Sequence, residues 1–262
     1  MEVICDSTFW YGQIQNNRIK ETDKSLAVLT NLQDSFTSLK VLKFPIYYTS
    51  YLRETFKPLY NAMKYGEILE FSPEYYIIEK LFPNIQPTID SLAFVANLRQ
   101  ISEEHVNQVS TLKKQAELQG QCLYHQFRKM SLCNETNKGL NQLILNNPNL
   151  SIDDCKDFVL GNLFSMLNTF SKQKLVSGPT LNQTHVNVIK NDIALYVESV
   201  ARKYYQIAKS SISRKWLTKW KLNDNVDALN LLYVNKDRKY FTNDRDWRES
   251  IRQAGMSHYL YN

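Results

Sequence analysis

An α/β fold around a parallel sheet is predicted by three features of the chain. Short apolar runs near both ends each give way to a helical pattern, the middle of the chain has helical periodicity with almost no strand signal, and glycine is scarce. The 7 glycines among 262 residues lie far below the usual share of about 7%, which suits a helix-rich chain and leaves no Gly-built phosphate cradle. Because strand-like runs occur at both ends, the sheet core is expected to be formed by residues 1–87 and 222–262. A large, mostly helical insertion, residues 88–221, separates them.

Residues 2–5 are apolar and β-branched and read as a buried parallel strand. Residues 7–19 carry polar and aromatic residues at roughly helical spacing. A second apolar run at 26–29 is followed by Thr30 and Asn31, a plausible helix cap. Residues 45–64 read as a helix that Pro58 kinks or splits, and Ser72, Pro73 and Glu74 supply a cap, a first-turn proline and a first-turn acid for another. From Thr88 to Trp220 apolar residues recur at three and four. Polar stretches at 134–139, 146–149 and 171–182 read as loops between these helices. Residues 226–234 then form a short helix, 239–241 a strand, 244–253 a helix, and 258–260 a last strand.

Composition narrows the functional classes. Hydrophobic content of 43% and charged content of 22% are ordinary for a globular chain. The four cysteines, Cys5, Cys122, Cys133 and Cys155, lack CxxC spacing, so neither a zinc site nor a disulfide framework is expected. No signal-like segment and no run of membrane-spanning length is found, and the expectation is a soluble, cytoplasmic protein with no membrane association. The net charge of +6 is compatible with a polyanionic partner. His105, His125, His185 and His258 fit no ligand or triad spacing.

Acidic residues at element boundaries carry the most information. Asp6 follows the first strand, Asp34 lies one turn into the helix after the second, Asp227 begins a late helix, and Asp244 follows the next strand. In an open α/β sheet the carboxyl edge is where ligands bind. Acids gathered there form an oxygen-only site suited to Mg²⁺ or Mn²⁺ and unsuited to Zn²⁺. Each acid also has a simpler reading, since Asp near a helix start accepts backbone N–H bonds and stabilises by roughly 0.5–2 kcal/mol.

The order Ile4-Cys5-Asp6-Ser7, Thr30-Asn31-Leu32-Gln33-Asp34, and Asp227 to Val234 leading through Lys239-Tyr240-Phe241 to Thr242-Asn243-Asp244, resembles the PIN domain family of metal-dependent ribonucleases. That family includes the toxins of many toxin–antitoxin pairs. The resemblance implies a PIN-like parallel sheet and a Mg²⁺- or Mn²⁺-dependent endoribonuclease, with Asp6, Asp227 and Asp244 holding the metal. It also implies that Asp34 or Glu54 completes the pocket, and that Ser7 or Thr242 hydrogen-bonds a ligand or bound water. The family usually has Glu where Asp34 stands, and Thr8 departs from the usual Asn. Homodimers and an antitoxin or other protein partner are what the family leads one to expect.

Residues 201–221 are rich in bases and aromatic rings. Arg202, Lys203, Arg214, Lys215 and Lys219 are candidates for phosphate contacts, and Trp216 and Trp220 for stacking on single-stranded RNA. The same pattern suits a helix with aromatic residues packed inward. Two other classes stay open: a catalytically inactive PIN-like module that binds RNA or protein through its basic insertion, and a helical interaction protein whose aspartates cap helices.

Overall fold

The computed structural model describes residues 1–10, 19–28, 61–62, 64–69, 71–88, 111–214 and 219–262, with side chains for all of these except 7–8, 111–127 and 212–214. Four parallel strands form one sheet: β1 (Glu2–Cys5), β2 (Lys24–Val28), β3 (Glu67–Leu69) and β4 (Arg238–Phe241), in the order β3-β2-β1-β4. The α/β class and the parallel sheet are as the chain's patterning predicts. Val3, Ile4 and Cys5 of β1 and Leu26, Ala27 and Val28 of β2 are all buried. Continuous burial of this kind is the mark of parallel strands covered on both faces.

Register fixes which residues meet at each edge of the sheet. Glu2 lies opposite Lys24 on one side and Arg238 on the other, and Cys5 lies opposite Ala27 and Phe241. At the amino edge charges alternate across the strands: Arg238 pairs with Glu2, and Lys24 with Glu67. Opposite charges on neighbouring strands support the pairing. The residues after Leu260 close the sheet's outer side, where the Tyr261 N–H donates to the carbonyl of Tyr240 at 2.9 Å. The Tyr261 hydroxyl donates to Asp23 at 2.9 Å, and Asp23 also pairs with the N-terminal amine at 3.1 Å.

After the sheet's first strand comes α1 (Ser7–Trp10), then β2, β3 and α2 (Pro73–Leu81). Pro73 opens α2, Glu74 lies in its first turn and Lys80 in its last. The middle of the chain is helical as expected, with α3 (Thr111–Asn146), α4 (Ile152–Lys174) and α5 (Gln183–Arg214). Ser151 and Asp154 make a full capping box at the start of α4. Asn182 and His185 do the equivalent for α5, each side chain accepting the other's backbone N–H at 3.2 and 3.0 Å. The chain ends with α6 (Asp224–Asn230), a 3-10 turn (Leu231–Tyr233), β4, α7 (Arg245–Gln253) and a second 3-10 turn (Ser257–Tyr259).

The helical block and the sheet share one core. A single apolar cluster runs from Ile4, Leu26 and Val28 through Ile77 and Ile78 of α2 to Val159 and Leu163 of α4 and Val200 and Ile207 of α5. Helix α5 packs against α4, α7 and the first 3-10 turn. Among the described residues, no helix is long and apolar enough to cross a membrane.

Four sequence expectations change. Residues 134–139 lie inside α3, not in a loop. Gly139 there leaves room for the Phe158 ring, whose nearest carbon would lie 2.9 Å from an added Cβ. The loop expected at 171–182 begins only after Lys174. The last expected strand is a 3-10 turn from which Leu260 makes one parallel bridge to Tyr240. Strand β3 has no counterpart among the expected strands. Residues 11–18 of the helix expected over 7–19, and 45–60 of the helix expected over 45–64, lie outside the described residues, while 61, 62 and 64 are helical.

Gly66 precedes β3 where an added Cβ would fall 2.4 Å from the Trp10 ring and 2.7 Å from the carbonyl oxygen of Ser25. That oxygen belongs to the backbone of β2 and cannot swing away. Gly66→Ala is expected to destabilise the fold by about 1–3 kcal/mol, the usual cost of overpacking, read as a lower urea midpoint at unchanged slope.

Candidate functional site

The pairing of β1 with β4 brings two acids to one place. One residue past the matched pair Cys5 and Phe241, the Asp6 N–H donates to the Phe241 carbonyl at 3.2 Å. Asp6 is only 3% exposed. Its Oδ1 accepts from the Phe9 N–H at 3.2 Å and its Oδ2 from the Asn243 N–H at 3.3 Å. The carboxylate therefore caps α1 and also ties the end of β1 to the turn leaving β4. Thr242, buried beside it, accepts the Asp244 N–H on Oγ1 at 3.1 Å, and its carbonyl accepts from Arg248 Nη1 at 3.1 Å. Asp244 is exposed and caps α7, its Oδ1 accepting from Asp246 N–H at 2.8 Å and Trp247 N–H at 3.1 Å.

Asp227 comes to the same edge from the first turn of α6 and is half-buried. Burial pushes its carboxyl up to about 7, and the negative charges of Asp6, Asp244 and Asp224 push the same way, opposed by Lys203. Burial chiefly, and then the charges of Asp227 and Asp6, hold the fully buried Tyr240 hydroxyl well above its ordinary range. Asp6, Asp227 and Asp244 thus form a like-charged group at the carboxyl edge of the sheet.

The donor set fits a hard divalent cation in chemistry, being all carboxylate oxygen. A carboxylate offers about four lone-pair directions, so the capping bonds leave Asp6 and Asp244 able to accept a cation as well. The geometry stops short of a closed cage. Among the described residues, no three His, Cys, Asp or Glu side chains are gathered closely enough to hold one ion. Two helix-capping carboxylates are turned to backbone N–H groups, and the third carries its own repulsion. Asp34 and Glu54 lie outside the described residues, as does the side chain of Ser7.

Sequence reasoning left out Asp224, which stands three residues before Asp227. It is 3% exposed and pairs with Lys203, itself 5% exposed, at 2.7 Å. The second Asp224 oxygen accepts the Lys221 N–H at 2.7 Å. Lys203 Nζ also lies 4.1 Å from the centre of the Trp247 ring. Removing one member of such a buried pair costs about 3–5 kcal/mol, because the other charge is left without compensation. The Asp224–Asp227 spacing of one helical turn was a signal for a shared face, but the partner 21 residues earlier carries no local signature.

This pair corrects the reading of the basic stretch. Lys203 is an interior cation, not a phosphate contact. Trp220 is 2% exposed, so it offers no face to a base. Its ring meets Tyr204 at 4.7 Å and Trp247 at 6.0 Å, both edge-on, and Tyr204 in turn meets Phe158 at 5.8 Å. These rings join α4 and α5 to α7. Arg202 is half-buried and Lys219 is exposed. Lys215, Trp216 and the side chain of Arg214 lie outside the described residues. His185 is engaged in capping, and its ring lies tilted against Phe82 at 5.1 Å.

Comparison with protein families, with curated proteins and with solved structures finds no match for this chain in any of the three. The site is therefore read from its own geometry.

The raised Asp227 carboxyl has a signed consequence for stability. Its folded value of about 7 exceeds the unfolded value of about 3.9, so the folded state binds the proton more tightly. Stability from this group falls as pH rises from about 4 to about 7 and then levels. Asp227→Asn is expected to match the wild type near pH 4 and to exceed it by roughly 2–4 kcal/mol at pH 8. Urea unfolding of both proteins across pH measures the difference, and a constant offset would contradict the assignment.

Proposed function

We propose that this protein is a divalent-metal-dependent phosphodiester hydrolase acting on RNA, with Asp6, Asp227 and Asp244 as its metal-binding carboxylates. One observation carries the reading: Asp227 of α6 lies within repulsion of both Asp6, which follows β1, and Asp244, which follows β4, where those two parallel strands end. Such repulsion raises the energy of the folded chain unless a cation relieves it. The choice of RNA, and a PIN-like form of the sheet, rest on the resemblance of the terminal segments to the PIN ribonucleases. A single-stranded substrate, a toxin-like role, an antitoxin partner and a homodimer are further expectations of that resemblance.

Asp6, Asp227 and Asp244 would hold Mg²⁺ or Mn²⁺, which would supply neutralisation of phosphate charge and a more acidic bound water. The chain's own residues have defined parts. Backbone N–H groups of Phe9 and Asn243 fix the Asp6 carboxylate. Thr242 fixes the backbone from which Asp244 projects. Asp227, its carboxyl pushed up to about 7 by burial and by the neighbouring acids, would have to give up its proton to hold a cation, so affinity is expected to rise with pH up to that point. Exposed Lys219, Lys221 and Arg245 lie close by in the chain, where phosphate groups would meet positive charge.

A second reading, a PIN-like module without catalysis, draws support from the capping bonds already made by Asp6 and Asp244. One substitution separates the two. Asn caps a helix about as well as Asp, so Asp244→Asn removes the charge and keeps the cap. Under the hydrolase reading the wild type binds Mn²⁺ in calorimetry and cleaves single-stranded RNA. Asp244→Asn loses both by about 100-fold or more, at a melting temperature within about 2 °C, as expected when only a cap-preserving charge change is made. A wild type that neither binds Mn²⁺ nor cleaves RNA would sink the proposal.

A further inference from the structure

Over residues 128–146, α3 buries only Lys129, Cys133 and Leu140. Half-buried Asn137 lies on the same stripe, four residues from Cys133 and three from Leu140. Three of these four side chains reach one short segment immediately ahead of α6. The Asn137 amide grips both backbone groups of Trp220: its Nδ2 donates to the carbonyl at 3.0 Å and its Oδ1 accepts the N–H at 2.9 Å. The same Nδ2 donates to the Cys133 carbonyl at 2.9 Å, which orients the amide. The Cys133 thiol donates to the Trp220 carbonyl at 3.4 Å, and Lys129 Nζ donates to Asn223 Oδ1 at 2.9 Å.

Trp220 is connected to both late acid-bearing helices. Its Nε1 donates to Asn225 Oδ1 in the first turn of α6 at 2.8 Å, and its ring lies edge-on to Trp247 in the first turn of α7. Helix α6 carries Asp227, and α7 starts from its cap Asp244. Apolar contacts hold helices together without fixing direction, whereas a two-point amide clasp fixes both distance and orientation. Over residues 128–146, α3 spends its buried stripe on placing this segment more than on apolar burial.

We propose that Asn137 is a positioning residue for the acidic site: through Trp220, the clasp on α3 sets where Asp227 and Asp244 stand. The helical block is then part of the site's construction, not a separate module beside it. This inference rests on the metal-site reading for its consequence, while its geometric content can be tested apart from it.

The test compares Asn137→Leu, Asn137→Asp and Leu163→Ala in the full chain. Asn137→Leu removes both bonds to Trp220, and Asn137→Asp keeps the acceptor for its N–H but turns a carboxylate oxygen on the carbonyls of Trp220 and Cys133. Leu163, in the core of α4 away from the clasp, serves as a control that destabilises without touching it. At a temperature where all three remain folded, Mn²⁺ calorimetry is expected to show about a tenfold weaker affinity for Asn137→Leu, the lower range for disturbing a supporting shell. Asn137→Asp should be weakened at least as much, its carboxylate repelled by the Trp220 and Cys133 carbonyls, and Leu163→Ala unchanged. A merely structural role predicts equal affinities in all the folded variants, or losses that track stability, and either result overturns the proposal. Backbone amide NMR of the metal-free proteins gives the second readout. Asn137→Leu should shift the Asp227 and Asp244 signals, and shifts confined to residues 219–223 would refute the clasp even if Mn²⁺ binding failed in the wild type and took the metal reading with it. If Asn137→Leu does not fold, Asn137→Asp carries both measurements.

Discussion

The parallel pairing of β1 with β4 is the contact on which the rest of the structure depends. With Cys5 beside Phe241, the next residues of each segment are forced together, and both are followed by a helix whose first free N–H groups need acceptors. Asp6 and Asp244 meet that need locally. They also place two negative charges at one edge, and Asp227 arrives there on α6 as a third. Capping accounts for Asp6 and Asp244 individually but not for the company they keep.

Charge within this region has two parts. Lys203 and Asp224 form an interior pair backed by the Trp247 ring. Asp227 is repelled by Asp6, Asp244 and Asp224, with only partial relief from Lys203. A buried ion pair contributes little net stability compared with apolar packing. Its value here is placement, because it joins α5 to α6 just ahead of Asp227. The aromatic series Phe158, Tyr204, Trp220 and Trp247 performs the apolar part of the same junction. Together these contacts make the helical block and the sheet one folded unit.

What could be read from residues alone depended on the range of the interactions involved. β1 was legible because its buried residues leave an apolar, β-branched run in the chain itself, and β4 through the buried aromatic pair Tyr240 and Phe241 that ends it. The cap at Asp244 and the acid at the start of α6 were legible for the same local reason. β3 was not, because a three-residue strand is defined by its pairing with β2 more than by its own composition. The polar stretch 134–139 looked like a loop since most of it faces solvent. Asn137 stays helical there because its amide closes on Cys133 and Trp220, 83 residues away. The basic, aromatic stretch around 201–221 looked like a nucleic-acid path, yet Lys203 and Trp220 turn inward to partners that no local spacing could reveal.

A cation at the carboxyl edge is the central claim, and crystals grown with MnCl₂ and measured at the manganese absorption edge test it most directly. The expected result is an anomalous peak bounded by Asp6, Asp227 and Asp244, with carboxylate oxygens drawn to about 2.0–2.2 Å, near the distance of a small hard cation, and with the caps of α1 and α7 intact. Saturating Mn²⁺ that leaves no peak there, with the three carboxylates still apart, would contradict it and leave the aspartates as helix caps.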